Sequence, residues 1–265
     1  MKQYLLFLLL PVFAFSQPNC NAFLLKGDTL QYKACRLVEN IDKKHYQFSR
    51  EFHEKYDEAL KICPYFDYAY HEKSVAYLKS GDFINWKIFI DKAVELNSKE
   101  YLGYRGWCKY QFFRDYKGAI EDIEALEKIY PTGYLGYSSN GDYELHIAKA
   151  LCYSALGQKE KVISIIENQL SKKDHNVGLF DYYQLGVTYF ELNKYDKALE
   201  NFEKQSKIND FAENIYFRSK ISKVRNKDYL ELKNLALKTY DEGKTAKDAY
   251  THHFNKIYRV QIAEL

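Results

Sequence analysis

The sequence contains few proline, glycine and methionine residues and no marked excess of charge. Its 265 residues include 4 Pro, 12 Gly and 1 Met, which argues against a collagenous or proline-rich chain. Lys and Arg total 39 against 36 Asp and Glu, so the net charge is only +3. A nucleic-acid-binding surface and an acidic disordered tail both need a stronger charge bias. We therefore expect no nucleic-acid partner.

Long apolar runs are also missing, with one exception at the N-terminus. Residues 4–15 are almost wholly apolar and follow Lys2. A helix of this length spans about 18 Å, which is too short for a bilayer core of about 30 Å. Ala14 and Ser16 form a small-x-small cleavage pattern, which predicts a signal peptide over residues 1–16 and export to the periplasm or the medium. An uncleaved anchor and a lipoprotein acylated at Cys20 are the alternatives.

Motifs for catalysis and metal binding are absent as well. The sequence lacks the short patterns that mark hydrolases, zinc peptidases and phosphate-binding loops, and it has no C-x-x-C pair. His252 and His253 are adjacent, so on a helix they would point about 100° apart and could not hold one ion from one face. We expect both on a solvated helix surface. We predict no catalytic site, no metal site and no cofactor.

Aromatic residues, by contrast, are abundant, with 26 Tyr and 17 Phe. Helical periodicity runs almost continuously from Thr29, without strand-like alternation. Short breaks recur near residues 80–82, 113–115, 156–158, 192–194 and 226–228. A bulky or long residue follows each break, and counted from Ser49 these residues are spaced 34, 33, 43, 36 and 34 positions apart. A period near 34, with two helices in each unit, is typical of a helical repeat array.

Further positions fit one repeat family. The best-matching stretch, residues 182–204, carries the family's large, small and aromatic positions at Leu185, Gly186, Tyr189, Tyr195, Ala198 and Phe202. It resembles the tetratricopeptide repeat (TPR), and five other segments match in part. The resemblance implies an all-α fold: a right-handed superhelix, or α-solenoid, of about six stacked helix-turn-helix units.

The resemblance also implies an organisation along the chain. We expect the repeat array over residues 17–244, with an insertion loop at about 131–142, and a C-terminal capping helix over residues 245–265. Gly186 is expected where the two helices of the best-matching unit cross. Tyr and Phe side chains are expected to fill the space between one hairpin and the next, burying about 150–250 Å² each.

The repeat register carries an expectation for the five cysteines. Cys108 and Cys152 follow the small position of a first helix by two residues, so we expect both to be buried and free. Any disulfide then comes from Cys20, Cys35 and Cys63, and we favour Cys20–Cys63.

In this family the first helix of each unit lines a concave groove, where partner peptides usually lie. The corresponding positions of this chain are mostly apolar and aromatic. They are Tyr68, His71, Trp107, Tyr110, Phe180, Tyr183, Phe190 and Phe217. These residues form the candidate partner-binding site. The alternative is that the superhelix closes over them and that they are core residues.

We predict an exported TPR scaffold that binds a protein or peptide partner through this aromatic-rich surface and catalyses no reaction. The partner's identity is left open. The rival interpretation is an envelope enzyme or carbohydrate-binding protein with a site in the groove or in the 131–142 insertion. Such a site needs polar groups that converge beside the rings, and the groove positions supply few. A homodimer through the same groove is a third alternative.

Overall fold

A computed structural model of the chain describes residues 18–131, 133–173, 175–248 and 253–265. The predicted signal peptide lies outside these residues. Fourteen α-helices occur in the described ranges: α1 (Cys20–Leu25), α2 (Thr29–Val38), α3 (Arg50–Ile62), α4 (Asp67–Ser80), α5 (Phe83–Leu96), α6 (Ser98–Cys108), α7 (Tyr116–Ile129), α8 (Leu145–Ala155), α9 (Lys159–Ser171), α10 (Asp181–Glu191), α11 (Tyr195–Ile208), α12 (Ala212–Val224), α13 (Leu230–Asp241) and α14 (Arg259–Ala263). A 3₁₀ turn covers Ile41–Lys43, and a π-helical turn at Lys109–Phe113 continues α6.

The chain divides into two compact units, Met1–Asn97 (unit 1) and Ser98–Leu265 (unit 2). Successive helices pack as hairpins: α2 with α3 and α4 with α5 in unit 1, then α6 with α7, α8 with α9, α10 with α11 and α12 with α13 in unit 2. No β-strand occurs in the described ranges, where a single antiparallel bridge joins Tyr137 to Glu144. The all-α fold of stacked helical hairpins is therefore confirmed.

The turns inside the hairpins lie at the predicted breaks. Five of these turns contain one residue with a left-handed backbone, at Gly81, Arg114, Gly157, Asn193 and Asn226. This conformation reverses the chain after a helix, and Gly and Asn adopt it more readily than other residues. An aspartate then begins two of the second helices, where the Asp82 and Asp115 carboxylates accept hydrogen bonds from backbone N–H groups.

Small residues lie where paired helices cross, as predicted. A Cβ atom on Gly186 of α10 would stand 2.6 Å from the ring of Phe202 on α11. A Cβ atom on Gly106 of α6 would stand 3.2 Å from the Cβ of Asp122 on α7. Ser74 of α4 is fully buried at the equivalent place. Each hairpin therefore closes to a separation that a larger side chain would prevent.

The disulfide prediction was wrong in its pairing. Cys20 of α1 is bonded to Cys35 of α2, with the Cα atoms 5.5 Å apart, whereas Cys63 is a buried free thiol. The reason is that α1 and α2 turn back on each other at Gly27, whose φ is +80°. This turn brings Cys20 opposite Cys35, beside a unit 1 core that includes Phe52.

The prediction for the other two cysteines is confirmed. Cys108 and Cys152 are both free and buried. Burial raises the pKa of each thiol, so both remain protonated at neutral pH. They act as small apolar side chains in the packing of unit 2.

The end of the chain differs from the predicted capping helix. Of the described residues after α13, only Arg259–Ala263 are helical, and the Arg259 guanidinium ties them to α13 through its Nε, which lies 2.7 Å from Asp241 Oδ1. The described residues 244–248 and 253–258 are not helical. They pack against the helices of unit 2, and we call these two stretches, 244–248 and 253–258, the returning segment.

Candidate functional site

The first helices of the hairpins form the face on which partner binding was predicted. Each unit has its own first-helix face, which consists of α2 and α4 in unit 1, and of α6, α8, α10 and α12 in unit 2. The eight predicted residues lie on these faces or at their edges, but they divide into two classes. Half-buried side chains are found at Tyr68, His71 and Phe190. Fully buried side chains are found at Trp107, Tyr110, Phe180, Tyr183 and Phe217.

In unit 2, the returning segment explains much of this burial because it lies across the first-helix face. It begins beside α12, where the Ala212 N–H donates to the Lys244 carbonyl at 3.0 Å. It then reaches the end of α6, where Gln111 Nε2 donates to Asp248 Oδ2 at 2.7 Å. Its later residues come back over α10, where the Tyr183 hydroxyl donates to the Asn255 carbonyl at 2.6 Å.

His253 occupies the centre of this arrangement, so the expectation of a solvated surface was wrong for this residue. Its ring lies 4.3 Å from the ring of Phe180 and is 5% exposed. His252 lies outside the described residues. Burial lowers the pKa of His253 to about 4, so the ring is neutral at physiological pH.

The hydrogen bonds around His253 fix which ring nitrogen carries the proton. Its Nδ1 lies 2.9 Å from the Phe254 carbonyl, which can only accept. Its Nε2 lies 2.9 Å from the Tyr143 hydroxyl, which itself accepts from Gln184 Nε2. Tyr143 therefore donates to Nε2, and the proton of the neutral imidazole is on Nδ1.

Gln184 of α10 forms hydrogen bonds with both the main chain and a side chain of the returning segment. Its Nε2 also donates to the Phe254 carbonyl at 3.2 Å, and its Oε1 accepts from Asn255 Nδ2 at 2.6 Å. A buried amide with all these partners holds a peptide in one register, because any shift would leave buried polar atoms without partners. Hydrogen bonds to the main chain and to one side chain together are a common way for a protein surface to bind an extended peptide.

A buried carboxylate on α12 makes a second anchor. Glu213 is fully buried, and its Oε2 accepts from the Ala246 N–H at 3.0 Å. The ammonium group of Lys256 pairs with Glu213 Oε1 at 2.5 Å and also donates to the Ala246 carbonyl. The charge of Glu213 is thus balanced by the returning segment itself.

The insertion between α7 and α8 meets the returning segment at a pair of acids. Asn140 Nδ2 donates to both Asp142 Oδ2, at 2.9 Å, and Asp248 Oδ2, at 3.2 Å. Burial, the charge of Asp248 and a hydrogen bond with it raise the pKa of Asp142 to about 6. The Asp142 carboxyl group therefore stays protonated to a higher pH than usual, and in that form it can donate a hydrogen bond to Asp248.

In unit 1, the first-helix face is organised around Tyr68 of α4. Its ring lies 5.9 Å from that of Phe66 and 6.4 Å from that of Tyr56. One turn along α4, His71 Nδ1 lies 3.2 Å from a carboxylate oxygen of Glu72. Tyr68 and His71 are half-buried, so part of each side chain remains exposed to solvent.

Sequence reasoning found the aromatic positions but missed what lies against them in unit 2. The polar residues that matter most there are Gln184, Glu213 and Asn255, none of which belongs to the repeat pattern. A signal was present, because a Gln and a Glu stand at positions of α10 and α12 that the repeat buries. Buried polar side chains require partners, and these two would have indicated a bound segment.

Two further findings concern sites of other kinds. Within the described ranges, no group of three or more His, Cys, Asp or Glu side chains is placed to hold a metal ion. No described helix combines the length and the apolar character needed to cross a membrane.

Comparison with known proteins agrees with the fold. The family model described as "Tetratricopeptide repeat" matches residues 67–100 and 182–210, which cover α4 with α5 and α10 with α11. No curated protein matches the sequence at a significant level.

Solved structures provide the broader match. The crystal structure of PilW, a type IV pilus biogenesis factor, aligns with a TM-score of 0.57 at 16% identity, covering 80% of this chain and 94% of that one. A tetratricopeptide repeat protein from Parabacteroides merdae aligns with a TM-score of 0.52 at 16% identity, covering 92% and 93%. MamA from Desulfovibrio magneticus RS-1 aligns with a TM-score of 0.52 at 16% identity, covering 68% of this chain and 95% of that one. At these identities the likeness concerns the fold alone.

Proposed function

Because this chain is a tetratricopeptide-repeat protein, we propose that it is an exported scaffold that binds a protein or peptide partner through its first-helix face, without catalysis. In this proposal Tyr68, His71 and Phe190 contact the partner directly. The buried members of the predicted set, Trp107, Tyr110, Phe180, Tyr183 and Phe217, form the floor that shapes the face.

The observation that supports the proposal is the returning segment on unit 2. A stretch of irregular chain lies on the first-helix face there, and side chains of the helices hydrogen-bond to its main chain. Side chains of the face also bind its asparagine and its lysine, and Tyr143, just before α8, binds its histidine. The same kind of face in unit 1 offers a ring and an imidazole at Tyr68 and His71, which suit an extended segment carrying polar and aromatic side chains.

Two features support export. The predicted signal peptide over residues 1–16 precedes the first described helix directly. The Cys20–Cys35 disulfide follows it closely, and such bonds persist in oxidising compartments such as the periplasm. N-terminal mass spectrometry of the exported protein should give a chain that begins at Gln17.

The partner-binding proposal is tested by affinity capture with cross-linking from a bacterial envelope extract. The bait is the mature chain, either wild type or carrying Tyr68→Ala with His71→Ala. The matched control carries Ile84→Ala with Ile88→Ala, which removes two exposed side chains from the second helix of the same hairpin. Loss of an interface anchor typically costs about 2 kcal/mol, or roughly thirtyfold in affinity.

We expect one protein to be captured by the wild type and by the control, and to be lost with the Tyr68 and His71 variant. Circular dichroism should give the same helical content for all three chains, with a modest decrease in the melting temperature of the Tyr68 and His71 variant, because Tyr68 packs against the unit 1 core. Equal capture by all three would refute binding through this face. Capture of a second copy of this chain would identify a homodimer instead.

A further inference from the structure

Unit 2 contains a cavity that the first-helix face does not include. It has a volume of about 370 Å³ and lies between the insertion before α8, the first turn of α8, the end of α9 and the loop after it. Its walls include Tyr134, Tyr137, Glu144, His146, Gln169 and His175. Small-molecule sites usually fall between about 300 and 1,000 Å³, so the cavity has the size of a binding site.

Two tyrosine rings meet edge to face at this cavity, with their planes inclined at 64°. Tyr134 is 65% exposed and Tyr137 is 38% exposed, and their ring centroids are 5.9 Å apart. The Tyr137 hydroxyl donates to the Asn176 carbonyl at 3.3 Å, which holds its ring against the loop after α9. Both rings therefore present apolar area that a ligand with an apolar face could cover.

A buried side-chain amide forms part of the wall. Gln169 of α9 is only 4% exposed and lines the cavity. A side-chain amide in this position can both donate to and accept from a ligand in the cavity.

Other polar groups in the wall are held rigidly. The Glu144 carboxylate is buried and accepts from the His146 N–H at 2.9 Å, while its other oxygen lies 2.7 Å from His146 Nδ1. His175 Nε2 lies 3.1 Å from Asp181 Oδ2, and this hydrogen bond raises the pKa of the imidazole. Fixed polar groups of this kind select a ligand by its hydrogen-bonding pattern rather than by charge alone.

The charges around the cavity decide which class of ligand fits. The wall carries charges of both signs, at the buried Glu144 carboxylate, which is paired with His146, and at the exposed Lys172 ammonium group, so it has no net preference for an anion or a cation. The polar wall does not suit a purely apolar molecule. A neutral ring with hydroxyl groups on its rim and C–H groups on its face suits every part of this surface. From this arrangement we propose that the cavity binds a neutral saccharide, which packs on Tyr134 and Tyr137 and hydrogen-bonds to Gln169.

The proposed site shares the first turn of α8 with the first-helix face of unit 2 but includes none of the eight residues predicted for partner binding. The two proposals can therefore fail independently. The saccharide site corresponds to the insertion that sequence analysis named in the rival interpretation, and it supplies the convergent polar groups that the groove positions lack.

The test is saturation-transfer NMR and calorimetry on the full mature chain. The probes are cellotriose, chitotriose and maltotriose, with inorganic phosphate as an anionic comparison. The variants are Tyr134→Ala, which removes a ring, and Gln169→Leu, which replaces the amide with an apolar group of similar size. The control is Tyr46→Ala, because Tyr46 is an exposed ring in unit 1 that is also paired with a second aromatic ring, Phe48.

We expect at least one trisaccharide to bind the wild type and the Tyr46→Ala variant equally. Tyr134→Ala and Gln169→Leu should each weaken that binding about tenfold or more. Gln169→Leu should leave the melting temperature nearly unchanged, because Leu has a similar size and the amide it replaces lines the cavity. Absence of binding by all three sugars, binding unaffected by both variants, or displacement of the sugar by phosphate would overturn the proposal.

Discussion

The two units of this protein use the same helical hairpin but cover its apolar surfaces differently. In unit 1, the short helices α1 and α2 are fastened by the Cys20–Cys35 disulfide beside the core that contains Phe52 and Tyr56. In unit 2, the returning segment lies on the first helices, and residues such as Tyr183 are completely buried beneath it. A repeat hairpin cannot cover its own apolar face, so each unit needs an additional element.

Equivalent positions of the repeat therefore differ in their burial, and so in their roles, between the two units. Tyr68 of α4 and Tyr183 of α10 are both first-helix aromatics, yet Tyr68 is half-buried and Tyr183 has no exposed surface. What separates them is the segment of chain that lies against each face. The following experiments would sharpen or break this distinction.

The largest effect is expected from removing a buried ring of unit 2. Trp107 is 4% exposed and packs against Tyr104 and Phe112, so Trp107→Ala should cost about 3–5 kcal/mol of unfolding free energy. Tyr68→Ala in unit 1 should cost clearly less, because part of that ring is already in solvent. Urea denaturation followed by circular dichroism measures both. Equal losses would contradict the distinction between the two faces.

The disulfide should matter next, and only in unit 1. Cys20 and Cys35 are 15 residues apart, and a loop of this size contributes about 3 kcal/mol. Cys35→Ser should therefore weaken hydrogen-exchange protection in α1 to α3 and leave α8 to α11 unchanged. A reductant should reproduce this effect in the wild type and add nothing in the variant. Loss of protection in α8 to α11 would show that the bond acts beyond unit 1.

The smallest effect is a pH dependence of the contact between Asp142 and the returning segment. The pKa of Asp142 is about 6 in the folded protein against 3.8 when unperturbed, so the folded state binds the proton more tightly. This contribution to stability is complete below about pH 3.8 and is lost as the pH rises through 6. At pH 7, hydrogen exchange in residues 244–248 and 253–258, corrected for intrinsic rates, should therefore be faster in the wild type than in the Asp142→Asn variant.

The titration of His253 changes the stability with pH in the opposite direction, so its effect must be separated from that of Asp142. Its pKa falls from 6.5 to about 4, so its contribution is present above 6.5 and is lost as the pH falls through 4. Both the wild type and Asp142→Asn retain His253, so their difference isolates Asp142. The two chains should differ least at pH 4 and most at pH 7. A constant difference at both pH values would exclude a contribution from the protonation of Asp142.

Much of the fold could be predicted because it follows from local rules. The breaks at Gly81 and Asn193 lie at the hairpin turns, and Gly186 lies where its helices cross. These features depend on backbone conformation and on the size of one side chain, both of which the sequence states directly. The candidate site was predicted only in part. Its aromatic residues recur at the same position of each hairpin, whereas the segment that buries some of them follows no repeat.

The parts that failed depend on contacts between distant residues. The partner of Cys20 was predicted wrongly because the turn at Gly27 places Cys35 opposite it. The end of the chain was predicted as a helix, although residues 244–248 and 253–258 bind α10 and α12 instead. Local propensity is a weak preference, and a buried histidine and a balanced buried carboxylate outweigh it.

By itself, the sequence determined the helices, their pairing into hairpins and the small residues at their crossings, because each depends on neighbours along the chain. Only the tertiary structure decided which aromatic rings are covered, which cysteines are bonded and where Gln169 points. These outcomes depend on surfaces that come together after the hairpins have stacked. A 34-residue pattern describes one unit and its nearest neighbours, and it contains no information about a segment that returns across several of them.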